Sequence, residues 1–174
     1  MPDQKIKDFK RAMDRYNCSV IYKKLGLIVA VFVITLQFVS LINLISVFDY
    51  YGKSQILILF SIFLLAYVFT DFLNGVIHMI IDNNTNYTSV VGPLIAAFHM
   101  HHRQPKYKLL PVLKVYFYET GAKNWLPIYL LGVIILQIHL DISYECNFFL
   151  VSVGILSSLA ELSHYWCHNS TEKD

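Results

Sequence analysis

The sequence predicts an all-α fold, an integral-membrane four-helix bundle with a cluster of histidines at its cytoplasmic face. Three observations lead there. The 174 residues are 56% hydrophobic with a mean hydropathy of +0.49, high for a soluble domain and ordinary for a small membrane protein. The apolar residues are concentrated in four runs. The positive charges collect on alternate sides of those runs.

Residues 1–24 form a basic segment with Lys5, Lys7, Lys10, Arg11, Arg15, Lys23 and Lys24. It reads as a cytoplasmic extension. It has no short apolar core before a small-residue cleavage site, and Asp3, Asp8 and Asp14 are foreign to a transit peptide. The membrane domain then covers residues 25–168, and residues 169–174 form a short polar tail. The first run extends from Leu25 to Phe48 and the second from Ser54 to Ile81. Both exceed the roughly 20 residues needed to cross about 30 Å of hydrocarbon. The third, Trp125 to Leu140, and the fourth, Asn147 to Ser163, are marginal in length and would have to borrow residues at their ends. Between the second and third runs, residues 83–92 are rich in Asn, Thr and Ser and predict a turn. Pro93 to His102 predicts a short helix, and Leu109 to Tyr118 an interfacial amphipathic stretch.

Charge sets the orientation. The long middle segment carries Arg103, Lys106, Lys108, Lys114 and Lys123, whereas the two short connections hold Asp49 with Lys53, and Asp141 with Glu145. Both termini and the middle segment are therefore expected in the cytoplasm, at the endoplasmic reticulum or a bacterial inner membrane. This topology sorts the seven histidines. His78, His99, His101, His102, His164 and His168 share the cytoplasmic side, and His139 lies at the opposite end of the third run. Cys18, Cys146 and Cys167 lack the spacing of a disulfide framework or zinc ribbon. A net charge of +2 gives no reason to expect nucleic acid as a partner.

Three groups of residues could carry chemistry. Asp71, Gly75, His78 and Asp82 fall in one narrow arc of a helix at about 100° per residue. Ionisable residues inside a membrane usually face a bundle interior or cavity, although the same arc could serve only helix packing. His164 and His168 are one helical turn apart with Glu161 on the same face, either a metal pair or the polar end of a span. His101 and His102 diverge by about 100° and could address two metals, or simply belong to a basic loop. His99 is a weaker candidate beside them. Taken together, imidazoles with carboxylates suit iron and leave coordination positions for oxygen, and the carboxylates could orient the imidazoles. Zinc accepts imidazole too, but the absence of an HExxH helix disfavours a metalloprotease.

The ordered motifs Asp71-x3-Gly75-x2-His78-x3-Asp82, Val90-Val91-Gly92, Phe98-x2-His101-His102-x2-Pro105 and His164-x-Trp166-x-His168 resemble the Kua, or plasmanylethanolamine desaturase, family of lipid desaturases, which also includes the plant plastid palmitate desaturase. Phe117-Tyr118-Glu119-Thr120 and Asn124 extend the likeness. The resemblance implies a membrane oxidoreductase that removes hydrogens from an acyl or alkyl chain with dioxygen at an iron centre, a di-iron centre if complete. It implies His78, His101, His102, His164 and His168 as metal ligands, with Asp71, Asp82, His99, Glu119 and Glu161 as additional or supporting residues. It further implies a membrane lipid substrate and a separate electron donor of the cytochrome b5 or ferredoxin type, because no haem or iron–sulfur motif is present. The sequence departs from the family at Met79, where tryptophan is usual, and at Asn74, where serine is common. Family members carry a further histidine-rich box beyond the position of His168, and the residues from Asn169 to Asp174 contain no histidine. The alternative reading is therefore an inactive or truncated four-span protein that retains the desaturase fold.

Overall fold

A computed structural model describes residues 2–48, 56–103, 111–118, 123 and 125–170. The described regular structure is helical, with no β-strand among the described residues. The helices are α1 (Pro2–Cys18), α2 (Val20–Ser46), α3 (Ile56–Asn83), α4 (Gly92–Arg103), α5 (Val112–Tyr118), α6 (Leu126–His139) and α7 (Tyr144–Ser170). Among the described residues, only α2 and α3 are long and apolar enough to cross a membrane. Helix α6 and the apolar part of α7, Tyr144–Ala160, are shorter. At 1.5 Å per residue, α6 is about 21 Å long and α7 about 40 Å. The fourth run does recruit residues at both ends. The third does not, because Pro127 fixes the start of α6 and Leu140 leaves it in an extended conformation.

The backbone divides into two compact units. One comprises Met1–Ala30, Val76–Gly121 and Glu161–Asp174, and the other Val31–Gly75 and Ala122–Ala160. They are called the cap unit and the apolar unit below.

In the apolar unit, α2, α6 and α7 are joined by both apolar and polar contacts. Leu44, Val133, Tyr144 and Val151 are buried together, with Leu41, Leu59, Tyr129, Phe148, Leu150 and Ile155 packed around them. A polar node sits within this framework. Gln137 Nε2 donates to the Ser40 carbonyl at 3.0 Å and to Asn147 Oδ1 at 2.8 Å, while its Oε1 accepts from Asn43 Nδ2 at 3.2 Å. One glutamine thus uses both ends of its amide to tie α2, α6 and α7, which removes the cost of burying these groups unpaired. Gln37 Nε2 donates to the Gly154 carbonyl at 3.0 Å, and Tyr129 Oη donates to the Leu150 carbonyl at 2.9 Å. These pairings run α2 and α6 in one direction and α7 in the other. Gly154 permits the close approach of α6, since a Cβ there would lie 2.7 Å from Leu130 Cδ2. Helix α3 contributes Leu59 to the core and sets Phe69 against Phe149, with ring centroids 5.6 Å apart. Most of its side chains remain exposed.

The cap unit begins with α1, which folds from the basic segment at residues 2–18. Ile6, Phe9, Ala12, Met13 and Tyr16 recur at helical spacing. Ala12 is fully buried, whereas Lys5, Lys7, Lys10 and Arg11 are exposed. The abundance of charge in this segment conceals a short apolar stripe. Helix α4 starts one residue before the expected Pro93 and ends one residue after His102. In the expected amphipathic stretch, α5 covers Val112–Tyr118, and Leu109 lies outside the described residues.

Candidate functional site

Six histidines, His78, His99, His101, His102, His164 and His168, belong to the cap unit, and His139 belongs to the apolar unit. The cap unit is organised around the turn between α3 and α4, which satisfies its backbone with its own short polar side chains. Asn83 Nδ2 donates to the Met79 carbonyl at 2.8 Å, and Asn84 Oδ1 accepts from the Asn86 N–H at 3.0 Å. Thr88 Oγ1 donates to Asn86 Oδ1 at 3.1 Å, and Ser89 Oγ to the Asn86 carbonyl at 2.9 Å. These are the local bonds that make Asn, Ser and Thr favour turns over helix interiors. Gly92 closes the turn, its N–H donating to the Ser89 carbonyl at 3.1 Å. A Cβ at Gly92 would fall onto the Tyr87 carbonyl, far inside van der Waals contact. This position demands glycine for close backbone approach, not for an unusual φ.

Helix α1 and the start of α2 grip the same turn. Arg15 Nη2 donates to the Tyr87 carbonyl at 2.8 Å and to the Ser89 carbonyl at 3.3 Å. Tyr22 Oη donates to the Val90 carbonyl at 2.9 Å, and the Phe9 ring meets Tyr87 edge-on with centroids 5.3 Å apart.

His78 lies in the last turns of α3. Its Nε2 is 3.4 Å from Asp82 Oδ2 one turn later, and its ring meets that of Phe98 on α4 with centroids 4.9 Å apart. Asp82 is placed to orient this imidazole, and the pair is only about one-third exposed. The arc expected to face inward is differently disposed. Asp71 and Gly75 are exposed, with nothing within 4 Å of a Cβ at Gly75. The buried face of α3 instead runs through Ala66 and Thr70. Small residues there allow the closest helix approach, and this turns Asp71 outward. Thr70 Oγ1 and Asn74 Oδ1, one turn apart, are buried without a hydrogen-bond partner. Neither is ionisable, so neither stands out in the helical arc of Asp71, His78 and Asp82.

His99 engages both ring nitrogens with protein groups, Nδ1 with Tyr87 Oη at 2.9 Å and Nε2 with the Ile81 carbonyl at 3.1 Å. His101 and His102 follow on α4, and His164 and His168 stand one turn apart on α7. The side chains of these four and of Glu161 lie outside the described residues, as does Glu119. Among the described residues, no group of three or more His, Cys, Asp or Glu side chains is assembled to hold a metal. The described donors, the His78 imidazole beside the Asp82 carboxylate, are of a type that iron and zinc both accept. Lys123, one of the cations that set the expected orientation, is fully buried and engaged with a partner. It is not a free surface charge.

Compared with known families, residues 67–174 match the family model of the lipid desaturase domain, which covers more than half of the chain. The chain belongs to this family, and its function is lipid desaturase-like. The match includes all five histidines singled out as ligands, and leaves α1 and α2 outside it. No curated protein and no solved structure matches the chain.

Proposed function

We propose that this protein is a multi-pass membrane oxidoreductase of the Kua type, which desaturates an acyl or alkyl chain of a membrane lipid with dioxygen. The observation that carries the reading is the desaturase-domain match over residues 67–174, within which the histidine motifs occur in order. The proposed ligands are His78, His101, His102, His164 and His168, which all belong to the cap unit. Iron held there would supply the oxygen chemistry. The protein's own residues would do the rest: Asp82 orients the His78 imidazole, and α4 presents its histidine pair from a helix anchored on the Gly92 turn. Electrons would come from a separate carrier of the cytochrome b5 or ferredoxin type. The exposed cations of α1 are available to attract an acidic carrier or anionic headgroups.

For the membrane arrangement, the proposal is four spans formed by α2, α3, α6 and α7, with both termini cytoplasmic. The opposed directions of α2 and α7 and the shared direction of α2 and α6 support it. Reporters fused after Asp49 and after Tyr144 are expected on the side opposite the termini. Glycosylation at Asn86 in vivo would overturn that orientation.

The functional test is purification in detergent, metal analysis, and an oxygen-consumption and lipid-product assay with an added reductant system. The expected result is bound iron and a new carbon–carbon double bond, both lost in His101→Ala. Zinc in place of iron, or desaturation indifferent to His101→Ala, would refute the assignment.

A further inference from the structure

Resting on the metal reading above, we propose that His99 is a positioning residue, not a ligand. It latches the end of α3 to the turn and to α4, and so fixes His78 relative to the helix that bears His101 and His102. The argument starts from hydrogen-bond roles. A backbone carbonyl only accepts, so the 3.1 Å contact to the Ile81 carbonyl requires the proton on Nε2. In the neutral ring, Nδ1 then holds its lone pair toward Tyr87 Oη, 2.9 Å away, and accepts from it. Both nitrogens are spent, and no lone pair remains for a metal.

The partners explain what the latch does. Ile81 is three residues beyond His78 on α3, and its carbonyl also accepts from the Asn84 N–H at 3.0 Å, at the point where the helix gives way to the turn. Tyr87 is the residue whose carbonyl closes on Gly92 and Arg15 and whose ring meets Phe9. His99 therefore crosslinks three segments: the end of α3, the turn, and α4. Its neighbour Phe98 touches the His78 ring directly, with an interplanar angle of 65°. A slip of α4 along α3 would break the latch and shift the surface against which His78 rests. Histidine suits this role because one ring carries a donor and an acceptor on opposite sides, at a separation matched by a glutamine amide.

The test compares His99→Gln, His99→Ala and Tyr87→Phe in the full chain, purified in lipid nanodiscs. Two readouts are needed, amide hydrogen exchange over residues 84–100 and iron bound after reconstitution with ferrous salt. His99→Ala is expected to raise exchange on the order of tenfold, as befits losing one or two net hydrogen bonds, and to lower iron occupancy. Tyr87→Phe should show a smaller rise of the same kind. His99→Gln should restore both toward wild type. Unchanged exchange in His99→Ala would overturn the latch. Restored exchange with lost iron in His99→Gln would make His99 a ligand and overturn the positioning role. Absence of iron from the wild-type protein would sink the metal reading alone, and the exchange result would still decide the latch.

Discussion

The apolar unit and the cap unit both join their segments through polar side chains, but among the described residues only the apolar unit buries such groups fully. In the apolar unit a few amides sit among hydrocarbon and bond across helices, as Gln137 does with the side chains of Asn43 and Asn147 and the Ser40 carbonyl. In the cap unit the polar groups hold a turn together and tie it to helices, through Arg15, Tyr22, Tyr87 and His99. The difference follows from what each must satisfy. A helix closes its own backbone hydrogen bonds, so a side chain from a facing helix bonds either another side chain or the second lone pair of a carbonyl already in use. A turn leaves backbone carbonyls open, and side chains from other segments must meet them.

The largest break in this comparison should come from Gly92→Ala. The added methyl meets backbone at Tyr87, which cannot rotate away, so a loss of about 3 kcal/mol is expected. Thermal unfolding should show it, with raised protease sensitivity at the turn and a smaller effect on α6 and α7. A normal melting temperature would mean that the turn is not as tight as described. Gln137→Leu comes next. It strands Asn43 and Asn147, and about 1–2 kcal/mol should be lost. Double-mutant cycles with Asn147→Leu should recover part of that loss, because removing both partners relieves the unpaired group. An additive result would dissolve the node.

Smaller effects should discriminate the units further. Gly154→Ala pushes mainly against the tip of Leu130, so it should cost about 1 kcal/mol and leave amide exchange at the turn between α3 and α4 unchanged. Arg15→Ala removes exposed bonds to Tyr87 and Ser89 and should cost about 0.5–1 kcal/mol, seen as faster amide exchange confined to the turn. The smallest effect is reserved for Asp71→Asn. Asp71 is exposed and outside the hydrogen bonds of the apolar unit, so stability should stay within about 0.5 kcal/mol. A large loss would restore the inward-facing arc that the sequence suggested.

Legibility differed between the two units for the same reason. Hydropathy alone located α2 and α3 within a few residues, because a long apolar run has few other ways to satisfy its backbone. The short helix at α4 was legible from the turn signals before it. Helix α1 was not, because its stripe of Phe9, Ala12 and Tyr16 is narrow and most of its surface is charged. The node at Gln137 was not legible either. A lone amide in an apolar run gives no sign of which helix will face it.

The sequence by itself determined the helical class, the two long apolar helices, the family and the candidate histidines, since these depend on local pattern and on short motifs in order. Only the tertiary structure decided which histidine is bonded to protein on both nitrogens, which face of α3 is buried, and why Gly92 must be glycine. Those depend on distances in space that no local pattern sets, whether the residues are close in the chain, as Gly92 and Tyr87 are, or farther apart, as His99 and Ile81 are. His99 and His78 carry the same side chain, and only their surroundings separate them, a carbonyl and a phenol around one, a carboxylate and a phenylalanine ring beside the other.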